Sequence, residues 1–271
     1  MMNWRAAFVV FAACFAGACH DQRTASVPPV PVVDVARTLT QQSTDAVIYQ
    51  AASAEVYRLY QQGYELAQLR LDANLQRPHT LPPAVIVDID ETVLDNSPFQ
   101  ITAVKNAHTY SQAEWTAWCR MARAKALPGA VEFLNYASRK GCEVFYISNR
   151  NLEEKAATVQ NLRSDGFPSV DDAHVLVMDG TSDKTARRAG VSKDHYVALL
   201  CGDQLTDFDQ SLKDRTVDQG RPRVDAMADT LKNYFVLLPN PMYGVWLDAV
   251  AGKADDEKVG AKARWINEHA Y

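Results

Sequence analysis

Four short stretches of this chain carry side chains that can hold a cation and engage an anion. Asp88-Ile89-Asp90-Glu91-Thr92 sets two acids two residues apart, followed by a third acid and a hydroxyl. Ser148-Asn149-Arg150 offers a hydroxyl, an amide and a guanidinium, and Asp183-Lys184 joins an acid to an ammonium. Gly202-Asp203-Gln204-Leu205-Thr206-Asp207 adds two carboxylates. Carboxylates suit hard divalent cations such as magnesium, and lysine and hydroxyl groups donate hydrogen bonds to anions. These residues can act together only if folding gathers all four stretches.

The surrounding pattern predicts that it does. Residues 84–87, 143–147, 174–177, 197–200 and 234–238 are short, largely apolar runs. Helix-like segments intervene at 129–140 and 152–164, with a shorter one near 185–190. Continuous apolar strands alternating with helices predict an α/β fold with a parallel sheet covered on both faces. Ligands of such sheets bind beyond the carboxyl ends of the strands, and each of the four stretches follows a strand there. Residues 97–126 interrupt the alternation, carry Trp115 and Trp118 and show no strand pattern, so they read as a small helical cap. Residues 44–75 repeat Ala52, Val56, Leu59, Tyr60, Ala67 and Leu71 at helical spacing, and Pro78 ends the pattern. Gly63 reads as a kink or as a loop between two helices.

The set of motifs resembles the haloacid dehalogenase (HAD) superfamily and, more narrowly, the class C acid phosphatases and lipoprotein 5′-nucleotidases. The resemblance rests on residues 88–97, Leu127-Pro128-Gly129-Ala130-Val131-Glu132-Phe133, Ile147-Ser148-Asn149-Arg150, residues 202–208 and residues 238–246. It implies a Rossmann-like sheet, with N-terminal helices and the cap as additions, and a magnesium-dependent acid phosphatase. Asp88 would attack phosphorus and form an aspartyl-phosphate, splitting one difficult step into two. Asp90 would act as general acid and then as base. Asp88, Asp203 and the main-chain carbonyl of Asp90 would hold Mg²⁺, with Asp207 acting in the second shell through water. Ser148, Asn149 and Lys184 would bind the phosphoryl group, with Lys193 a nearby competitor of Lys184. Asn96, Trp118 and Tyr243 would contact the rest of the substrate, and Trp115 and Trp246 could complete an aromatic box.

The other patterns narrow the reading. The chain has 271 residues and a net charge of −5, with no long basic run, which excludes a broad nucleic-acid surface. No Arg-His-Gly and no glycine-rich Gly-Lys-Ser/Thr loop is present, and the six histidines form no zinc-like cluster. Arg5 and the apolar residues 6–18 read as a secretory signal, too short to span a membrane. Ala16-Gly17-Ala18-Cys19 resembles a lipobox, which makes Cys19 the lipidated residue and places the protein on the outer membrane or in the periplasm; the alternative is an ordinary signal peptide. Residues 20–43 read as a Pro-containing tether and 44–271 as the catalytic domain. Cys119, Cys142 and Cys201 are an odd set, expected as buried free thiols. The expected ligands are small phosphate monoesters, 5′-nucleotides among them, and self-association stays open. The competing readings are a non-catalytic binding or storage lipoprotein and a phosphotransferase using the same intermediate.

Overall fold

The computed structural model describes residues 33–271. The proposed signal, Cys19 and residues 20–32 of the tether lie outside the described residues. Two helices come first, α1 (Val35–Ala52) and α2 (Ala54–Leu75). Asp34 caps α1 by accepting from the Arg37 amide at 3.0 Å. Ser53 has extended backbone, ends α1 and caps α2 through the Val56 amide at 3.0 Å. The helical tract therefore starts at Val35 rather than Thr44, inside the expected tether, and breaks at Ser53 rather than Gly63. Gly63 runs straight through α2. A Cβ there would collide with Leu238, so the glycine is a packing device instead of a kink.

The strands are β1 (Pro83–Val87), β2 (Leu94–Asp95), β3 (Lys125–Ala126), β4 (Glu143–Asn151), β5 (Val175–Met178), β6 (Tyr196–Gly202) and β7 (Phe235–Leu237). Five of them form one parallel sheet in the order β5-β4-β1-β6-β7. The chain builds outward from β1 through β4 to β5, then returns to its other side for β6 and β7. The sheet thus reverses direction at β1, and the crevice above such a switch point is where an open α/β sheet binds its ligand.

Alternation along the strands fills two cores. Val85, Val87, Val144, Tyr146, Cys201 and Val236 face one layer with Tyr60, Tyr64 and Leu71 of α2. Ala84, Ile86, Phe145, Ile147 and Leu200 face the other with Val191 and Phe208. Burial on both faces explains why these strands are apolar throughout rather than alternating. Cys119, Cys142 and Cys201 are free and buried.

Between β2 and β3 the chain forms α3 (Ser97–Asn106) and α4 (Gln112–Arg120). Contrary to the expectation of no strand, β3 closes this excursion by pairing antiparallel with β2, Leu94 opposite Ala126 and Asp95 opposite Lys125. Two-residue strands leave too little periodicity to read. The remaining helices are α5 (Ala130–Arg139), α6 (Lys155–Ser164), α7 (Thr185–Asp194), α8 (Arg221–Ala226), α9 (Ala228–Tyr234), α10 (Val245–Ala251) and α11 (Asp255–His269). On α5, Ala130, Phe133, Leu134 and Ala137 form the buried face, an i, i+3, i+4, i+7 stripe. α1 packs against α3 and α11, tying the N-terminal helix to the cap and to the C-terminus. Among the described residues no helix is long and apolar enough to cross a membrane.

Candidate active site

A cavity of about 680 Å³ opens at the carboxyl ends of β1, β4 and β6, and Asp88, Asp90, Arg150, Lys184, Asp203 and Asp207 line it. The Asp88 amide still donates to the Cys201 carbonyl at 3.0 Å, so the sheet holds this residue rigidly. Glu91 adopts a left-handed conformation with φ 54°, and the chain turns sharply there, away from the strand direction. The Tyr60 hydroxyl and the Tyr64 hydroxyl secure the turn by donating to the Glu91 and Thr92 carbonyls at 2.8 and 2.6 Å.

Asp88, Asp203 and Asp207 each offer a carboxylate oxygen within 4.8 Å of the other two. Lys184, at the start of α7, donates to Asp88 and to Asp207, the latter at 2.7 Å. Lys193 sits in the last turn of that helix, which resolves the choice between the two lysines. Asp203 accepts from Asn240 and Gln204 side-chain amides, both at 2.8 Å. Asp207 accepts from the Gln204 main-chain amide at 2.9 Å. It approaches closely because Gly202 has no side chain: a Cβ there would stand 2.6 Å from that of Asp207. Asp207 therefore stands close beside Asp88 and Asp203, with its oxygens engaged by Lys184 and the Gln204 amide.

Burial dominates the electrostatics. It pushes the Asp88 carboxyl well above its ordinary value, partly offset by Lys184. It raises Asp203 to about 7, with neighbouring Asp207 adding to the rise and Asn240 and Gln204 opposing it. The Lys184 ammonium stays charged, because Asp207 and Asp88 outweigh the burial that disfavours it. Ionising all three buried carboxylates against one ammonium would leave an excess negative charge. All the donors are hard oxygens, so the set fits a hard divalent cation, which would remove the cost of ionising them.

Asp90 points the other way. Arg150 grips it through Nη2 at 2.7 Å and Nε at 3.0 Å, and Asn96 Nδ2 adds a bond at 2.9 Å. The Arg150 side chain is only 1% exposed and is fixed further by Thr158 at 3.1 Å and by the Trp115 ring at 5.7 Å. Arg150 closes the Ser148-Asn149-Arg150 motif, and the motif alone assigns it no partner. The available signal was strand alternation, which puts Ser148 and Arg150 on one face of β4.

Several expected contacts move. Ser148 is fully buried, and its hydroxyl lies 3.4 Å from Asp90 and accepts from the Arg150 amide at 3.1 Å; it stands behind Asp90 and does not line the cavity. Asn149 lines it, with its side-chain oxygen taken by Arg187 at 2.8 Å. Asn96 is fully buried and accepts from Trp118 Nε1 at 2.8 Å. Trp118 is thus a support for the residue that orients Asp90, and it is not among the cavity-lining residues. Its indole N–H needed a buried acceptor, which outranked an open stacking face. Tyr243 and Trp115 do line the cavity, and Trp246 does not.

The sequence model of the HAD superfamily, subfamily IIIB (acid phosphatase), matches residues 14–246. The class C acid phosphatase from Bacillus anthracis superposes with a TM-score of 0.79 at 37% identity, covering 83% of this chain and 97% of its own. A second structure of that protein, with tungstate bound, matches equally. Acid phosphatase 1 of Solanum lycopersicum is 26% identical over 167 residues, 58% of this chain and 57% of its own. The stem 31 kDa glycoprotein of Glycine max is 29% identical over 164 residues, 58% of each chain. This chain therefore spans little more than half the length of the curated relatives it matches.

Proposed function

The chain belongs to the acid phosphatases of HAD superfamily subfamily IIIB, and from that premise we propose that it is a magnesium-dependent hydrolase of phosphate monoesters with Asp88 as nucleophile. The observation that carries this is the single cavity in which Asp88, Asp203 and Asp207 converge on Lys184. Tungstate is a tetrahedral oxyanion like phosphate, and its presence in a structure of the similar Bacillus anthracis protein is in keeping with a phosphate-ester substrate.

Asp88 is presented at a strand end by main-chain bonds, so its carboxylate meets the substrate with little freedom to lose. Lys184 sits against it and offsets the charge of the incoming phosphoryl group. Asp90 is held by the Arg150 fork on the neighbouring side of the cavity, placed to give a proton to the leaving oxygen and later to take one from water. Asp88, Asp203 and the main-chain carbonyl of Asp90 would hold Mg²⁺, with Asp207 acting through water beside them, and the ion would screen carboxylate from phosphate and stabilise charge during transfer. Tyr243 and Trp115 supply an apolar wall for a nucleobase or aryl group, which is why 5′-nucleotides belong among the proposed substrates.

The lipid anchor at Cys19, with placement at the outer membrane or in the periplasm, is part of the same proposal and rests on the N-terminal sequence. A non-catalytic storage protein would have no use for the Asp88–Lys184 pair that this chain keeps. A phosphotransferase would use the same residues and differ only in accepting an alcohol instead of water. The test is release of p-nitrophenol from p-nitrophenyl phosphate, with and without chelator. Hydrolysis lost on chelation and restored by Mg²⁺ supports the reading, and a protein inert under both conditions sinks it.

A further inference from the structure

The cavity that holds the acids is also lined by residues of the C-terminal helices. Lys213, Lys253, Lys258 and Lys262 all line it, against Asp248 and Asp255 in the same region. Lys258 engages Asp255 at 3.1 Å. Among the described residues, Lys253 and Lys262 have no carboxylate partner. Lysines thus outnumber acids in this part of the lining, while Asp88, Asp90, Asp203 and Asp207 line the rest of it.

Lys258 and Lys262 are four residues apart on α11, so they share one helical face. Both are half-buried. Like charges in that register oppose the helix rather than support it. Burial and the neighbouring Lys258 together hold the Lys262 ammonium below its ordinary value. Asp255 offsets Lys258 but not Lys262, so the pair presents an uncompensated positive charge to the shared cavity, which an anion between them would neutralise. The family match ends at residue 246, before Lys253 and all of α11, so these lysines lie outside the matched region.

We propose that Lys258 and Lys262, assisted by Lys253, form a subsite for a second phosphate group on the substrate. The preferred substrates would then be bisphosphates, with one phosphate at Asp88 and the other between the two α11 ammoniums. This rests on reading the Asp88 cluster as a phosphatase site.

A series of alkanediol bisphosphates of increasing length tests it, each compared with its monophosphate. At low ionic strength one length should exceed its monophosphate in kcat/KM by roughly tenfold, which is about 1.4 kcal/mol. In the Lys258→Gln/Lys262→Gln variant that ratio should fall to about one. Lys262→Glu should invert it, and thermal melting would verify that both variants fold. A ratio near one in the wild type at every length, or a preference that survives the double variant, overturns the subsite. If the wild type turns over neither class, the phosphatase reading falls on its own. Calorimetric binding of the bisphosphates then decides the subsite: tighter binding that the double variant loses supports it, and equal binding of both classes overturns it.

Discussion

Asp88 and Asp90 show how two identical side chains, two residues apart, acquire different tasks. Asp88 is fixed by the sheet and faces a lysine and two further acids. Asp90, beyond the end of the strand, is held by an arginine fork. Asp88→Asn keeps the shape and removes the proposed nucleophile, so turnover of p-nitrophenyl phosphate should fall by at least ~10³-fold with the melting temperature kept. Retained turnover would refute the covalent mechanism. In the proposed mechanism Arg150 acts through Asp90, as a positioning residue. Arg150→Met should lower kcat by about 10²-fold or more while KM changes far less. Arg150→Lys keeps the charge but loses the fork and should recover little. A variant whose loss lies in KM instead would place Arg150 in substrate binding.

At the scale of elements, α2 is the brace of the site. Its Tyr60 and Tyr64 hydroxyls hold the turn after β1, and Gly63 lets the helix lie against Leu238, just after β7. An added methyl has no room there, since Leu238 is only 2% exposed. Gly63→Ala should destabilise by roughly 1–3 kcal/mol despite the better helix propensity of alanine. Pairing it with Leu238→Ala should cost less than the sum of the two single changes, because the second opens the space the first needs. Strict additivity in denaturant melts would show that the two positions do not touch.

For the molecule as a whole, the acid cluster should make stability depend on pH and, with the proposed cation, on metal as well. Asp203 is held near pH 7 in the fold against an ordinary value of 3.8. Between those values the metal-free folded state binds more protons than the unfolded chain, so its stability falls as pH rises through that window. The loss is on the order of a few kcal/mol. With chelator present the melting temperature should drop from pH 5 to pH 7.5. Saturating Mg²⁺ should remove most of that drop, because the cation takes over from the proton. A metal-free protein whose melting temperature is flat or rises across that range would contradict this account of the cluster.

The sequence by itself determined the strand ends and what they carry. Unbroken apolar runs ending in Asp88, Ser148 and Asp203 are a local pattern, and a parallel sheet forces such ends to one edge. Composition likewise made free buried thiols of the three cysteines outside the proposed signal. Only the tertiary structure decided partners. Nothing in the spacing says that Arg150 belongs to Asp90, that Trp118 turns its N–H to Asn96, or that Asp207 joins the cluster through the gap left by Gly202. Those choices depend on what each buried polar group meets across the fold, where an unpaired donor or charge is costly. The same holds for Gly63, which local pattern read as a break and packing turned into a point of contact.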